Sequence, residues 1–138
     1  MPRESDHRNR WFHNRAFVGT INDAYCDWIL TAAFYAAVHA VETLVAHDGL
    51  PNHTSHEARN QTLQKTNKYK QIWKHYHTLY NVSLTTRYHC SPDTWISAEQ
   101  IKKKLIPSYL YPVEKSVQKL LGDAEKLPVV TWPAIGAQ

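Results

Sequence analysis

A chain of 138 residues fits one domain and is long enough to bury a core without disulfide or metal staples. With 43% hydrophobic residues it is globular rather than disordered, and its 4 glycines argue against a turn-rich β architecture. Two cysteines, Cys26 and Cys90, share no CxxC spacing, which speaks against a disulfide framework or a zinc module; a net charge of +4 with 9 histidines uncounted suits a polyanionic partner, or plain solubility.

Residues 1–10 are charged and lack the apolar run of a secretory signal, and two scattered thiols fit a reducing compartment, so a cytoplasmic location is expected. Residues 4–21 place Trp11, Arg15 and Val18, with Phe12 and Ala16, at near-helical spacing and predict a first helix. The next predicted helix, residues 23–48, is apolar around most of its circumference. Trp28, Ala32, Tyr35, His39 and Thr43 share one side, and Ile29, Ala33, Ala36, Ala40 and Leu44 fill the adjoining one. Such a helix belongs inside a bundle, and its embedded Tyr35, His39 and Glu42 argue against a membrane span. Gly49 stands where a left-handed cap ends a helix, and Pro51 prevents continuation.

Thr54 or Ser55 is the candidate N-cap of a short helix reaching about residue 64. A basic helix follows over residues 67–88, with Tyr69, Ile72, Trp73, Tyr76, Leu79, Tyr80, Ser83 and Leu84 on its buried side at spacings of three and four. Ser91-Pro92-Asp93 reads as a turn, and Ser97 with Gln100 as a capping box. Ile101, Leu105 and Tyr109 continue that helix until Pro107 kinks or splits it. Pro112 opens a last piece carrying Val113, Val117, Leu120 and Leu121, and Gly122 closes it. The expected fold is all-α: a bundle over residues 1–122 and an extended tail over residues 123–138, pinned by Trp132.

Three strings together resemble HEPN-domain proteins: Phe34-Tyr35-Ala36-Ala37-Val38-His39 on the long helix, Ser55-His56-Glu57-Ala58-Arg59 after the loop, and Leu79-Tyr80-Asn81-Val82-Ser83 running on to Arg87-Tyr88. The resemblance spans roughly residues 10–121. It implies a four- or five-helix bundle and a homodimer. It also implies an RNA-related role, either as a metal-independent endoribonuclease of a toxin–antitoxin or defence system or as a non-catalytic module binding RNA, a nucleotide or a partner protein. Family partners of that last kind include minimal nucleotidyltransferases and antitoxins. The family's catalytic Arg and His are four to six residues apart, late in the bundle. Here the one formal match, Arg8 to His13, lies in the first helix.

The candidate catalytic residues are His56, Arg59, His39 and Arg87. In such a cut the RNA 2′-hydroxyl attacks, a histidine moves the proton and an arginine holds the phosphate charge. Each candidate also has a structural reading. His39 serves as a core histidine satisfied by Glu42 or by a neighbouring helix, Arg59 as a solvated residue of a helix start, and Arg87 as the buried ion-pair partner of Glu42. Lys68, Lys70, Lys74 and Tyr88 are the candidate nucleic-acid contacts, with a plain solvated helix face as the alternative. His53 and His56 have an HxxH spacing, but no third and fourth ligands accompany them, so neither metal nor cofactor is expected.

Overall fold

The computed structural model describes residues 2–132, and within them the chain is all-helical. Helix α1 spans Glu4–Val18, α2 Cys26–His47, α3 His56–Lys65 and α4 Lys70–Tyr88. A last helical run comprises α5 (Ala98–Gln100), a π-helical segment (Ile101–Leu110) and α6 (Tyr111–Leu121). This is a helical bundle, as the periodicity predicts.

Helix α2 is its centre. Ile29, Leu30, Ala33, Phe34, Ala36, Ala37, Ala40 and Val41 are fully buried, and α2 packs against α1, α4, α6 and the π segment. Residues Asp23–His47 are long and apolar enough to cross a membrane by composition, yet 78% of that apolar window is covered by the rest of the bundle. Four alanines on the buried face let neighbouring backbones approach closely, which is how one helix serves so many partners. The helix ends as its sequence dictates: Gly49 takes φ 78°, and Leu50 N–H reaches back to Val45 O at 3.0 Å.

The other signals act locally too. Asn22 Oδ1 accepts from Ala24 N–H at 2.8 Å and opens the 3-10 turn that leads into α2. Ser55 Oγ accepts from Ala58 N–H at 3.1 Å and starts α3, and Ser97 Oγ accepts from Gln100 N–H at 3.2 Å at the start of α5. Gly122 takes φ 80° and ends α6.

The face that α1 buries is His7, Trp11, Arg15 and Val18, one residue per turn, and Phe12 and Ala16 are exposed. Leu84, expected on the buried side of α4, is at the surface. Pro107 does not split its helix. It sits within ten residues of π-helix that join α5 to α6, where the wider turn relieves the clash between the proline ring and the preceding turn.

Beyond α6 the tail crosses α1. Val130 is buried and donates its N–H to Tyr111 OH at 2.8 Å. The backbone passes so close to Gly19 that a Cβ there would collide with Thr131 O. Trp132 lies under the Lys102 ammonium, 4.5 Å from nitrogen to ring centroid. The expected extended tail is therefore docked as far as Trp132, and residues 133–138 lie outside the described part of the chain.

Candidate functional site

Glu42 faces out of α2 where the chain returns to form α3, and it is 2% exposed. A buried carboxylate must be paired or hydrogen-bonded. His53 supplies two donors, its backbone N–H to Oε1 and its ring Nδ1 to Oε2, both at 2.9 Å. Arg59 Nε adds a third at 3.1 Å. Burial pushes the Glu42 carboxyl up, but the two His53 bonds and the Arg59 charge more than offset it and hold it below its ordinary value.

Arg59 is thus the partner of Glu42. It is 6% exposed and far from the solvated helix start that its sequence position suggests. The role foreseen for Arg87 falls to Arg59 because α3 folds back over α2, while Arg87, near the end of α4, meets Tyr35 instead. Arg87 Nη1 donates to Tyr35 OH at 3.2 Å. The guanidinium carbon lies 5.2, 5.7 and 5.6 Å from the ring centroids of Phe34, Tyr35 and Tyr88.

His56 stands between the two arginines. Arg59 Nη1 is 3.0 Å from His56 Nδ1. A guanidinium nitrogen only donates, so Nδ1 accepts and the neutral ring carries its proton on Nε2. The ring rests among Phe34, Tyr35 and Tyr80, with centroids 5.5, 6.0 and 5.9 Å away. Burial, then the charges of Arg59 and Arg87, lower its pKa. His56 is therefore a neutral hydrogen-bond donor at Nε2, and Arg59 occupies the lone pair that a general base would use.

His39 lies apart from this group. Its Nδ1 is 3.2 Å from His7 Nδ1, and His7 Nε2 is 2.6 Å from Asn52 Oδ1. Burial, with the His7, Arg10 and Arg59 charges, lowers the His39 pKa to about 4. His39 is thus a neutral, part-buried histidine joining α2 to α1 and the loop. Of the two expected partners, Glu42 and a neighbouring helix, it takes the second, His7 of α1.

Of the four candidate catalytic side chains, the fold brings His56, Arg59 and Arg87 together and leaves His39 on the α1 side. His53, Thr62, Tyr35 and Tyr80 complete the group; the sequence singles out His53 by its HxxH spacing and Tyr35 and Tyr80 within the family-like strings, and it gives no signal for Thr62. Both His53 ring nitrogens are engaged, Nδ1 with Glu42 and Nε2 with Thr62 Oγ1 at 2.7 Å. Among the described residues no group of His, Cys, Asp and Glu side chains is arranged to hold a metal ion.

The nucleic-acid candidates divide as well. Lys68 pairs with Asp48 at 2.9 Å, and Tyr69 OH donates to the same carboxylate. Lys70 and Lys74 are exposed one turn apart, at the opposite end of α4 from Tyr88, which is 71% exposed. Between them a groove lined mainly by amides and aromatic rings, Asn60, Gln64, Trp73, His77 and Tyr80 among them, with the carboxylate-bearing Glu57 at its rim, runs along the α3–α4 seam. From Lys70 to Arg87 the helix covers about 25 Å.

Comparison with models of protein families, with curated proteins and with solved structures finds no match to this chain.

Proposed function

We propose that this chain is a HEPN-like helical bundle that binds single-stranded RNA without cutting it. One observation carries the reading: two guanidiniums, Arg59 and Arg87, flank a neutral His56 at one end of an amide- and aromatic-lined seam whose other end bears Lys70 and Lys74. The Arg87 guanidinium and the His56 Nε2–H suit phosphate oxygens, and aromatic rings suit unstacked bases, while Arg59, buried on Glu42, holds His56 in place. The Arg59 hydrogen bond is what favours binding over catalysis. It engages the lone pair needed for a base, and the two positive neighbours disfavour the imidazolium needed for an acid.

The test is anisotropy of a labelled unstructured RNA at increasing salt. Affinity should fall steeply with salt, and Arg87→Ala should weaken it roughly ten-fold or more, the value of one charge-assisted hydrogen bond. The same RNA incubated in EDTA should remain whole. Fragments that appear with the wild type and vanish with His56→Ala would establish the ribonuclease in place of the binding module. RNA that stays unbound at low salt would remove both.

A further inference from the structure

We propose that the cleft between the start of α2 and the end of α4 receives one unpaired nucleobase. The inference rests on the RNA-binding reading above and adds the place where a base is held. The cleft is about 430 Å³, within the size range of small-molecule sites, and its walls include Asp27, Trp28, Tyr35, Thr86, Arg87 and Trp95.

Trp28 is 57% exposed, although α2 is otherwise a core helix. Trp95 stands on the loop after α4 and commits its indole N–H to His89 O at 3.0 Å, which leaves its ring face as the group it can offer. Two buried polar atoms of wall residues lack any protein hydrogen-bond partner. One is the hydroxyl of Thr86, a residue 5% exposed, and the other is Arg87 Nη2. A buried polar atom without a partner costs about 1–3 kcal/mol, and a ligand carrying a carbonyl or ring nitrogen relieves it.

Asp27 decides between base and phosphate. Its carboxylate lines the cleft and repels an anion, but it accepts from the N–H or amino edge that every nucleobase presents. Ring faces, a donor pair and one acceptor together describe a base rather than a phosphate. The phosphates then lie outside, toward the His56 Nε2–H, with Arg87 Nη2 kept for the base.

The experiment titrates the whole protein with the four nucleoside 5′-monophosphates and, separately, with inorganic phosphate, following intrinsic tryptophan fluorescence. The expected result is saturable quenching by at least one nucleotide and none by phosphate. Trp28→Ala should weaken that nucleotide roughly ten-fold with helix content unchanged by circular dichroism, because Trp28 is a surface residue. Thr86→Val, a near-isosteric change, should weaken it too. Equal quenching by phosphate would overturn the proposal, as would wild-type affinity in both variants. If RNA binds in a salt-dependent way but no mononucleotide does, the cleft proposal falls and the RNA reading stands. If mononucleotides bind but longer RNA gains nothing over them, the RNA reading falls and the cleft stands.

Discussion

Replacing Glu42 by alanine tests the centre of the bundle most sharply. The carboxylate accepts from His53 N–H, from the His53 ring and from Arg59 Nε, and both Glu42 and Arg59 are nearly inaccessible. Removing it leaves a buried guanidinium without its counter-charge, a change that costs about 3–5 kcal/mol. At this chain length that lowers the thermal midpoint by about 10–20 °C. Urea denaturation followed by far-UV circular dichroism reads the loss directly. The double variant Glu42→Leu with Arg59→Met removes both charges and keeps the volume, and it should recover at least half of the loss. A loss below about 1 kcal/mol in Glu42→Ala would show that water reaches Arg59 and that the network contributes little. A double variant as unstable as the single one would show that shape rather than charge decides.

Acid stability should report His39. Its folded pKa of about 4 lies below the ordinary 6.5, so the unfolded chain binds the extra proton. Its contribution is therefore complete above pH 6.5 and is lost as the pH falls toward 4, by about 2 kcal/mol for a ring that is only half-buried. His39→Gln should flatten the stability profile in that window, and an unchanged slope would refute the assignment. Glu42, held below its ordinary 4.5, adds an acid loss only at lower pH. Gly19→Ala should push Thr131 off α1, so trypsin should cut after Lys126 faster than in the wild type; equal cleavage rates would mean the tail can shift and stay docked. Ser55→Ala should cost about 1 kcal/mol by removing the α3 N-cap, and a loss near zero in urea would show the cap to be idle.

Local sequence determined much of this protein. The apolar circumference of α2, the serine caps at 55 and 97 and the glycine stops at 49 and 122 act within one turn of where they stand. Periodicity and capping chemistry suffice to read them. The tertiary structure decided which charges meet. Glu42 had two arginines to choose from, and it pairs with one 17 residues away while the other reaches a tyrosine 52 residues away. No spacing rule ranks such distant partners, because the choice depends on how α3 and α4 fold back over α2. The same folding sets the chemistry of His56. A histidine after a serine cap reads as an exposed proton carrier, but flanked by two guanidiniums and three aromatic rings it becomes a neutral donor. The cleft at Trp28 and Trp95 arises in the same way, from two helix ends that meet only once the bundle closes.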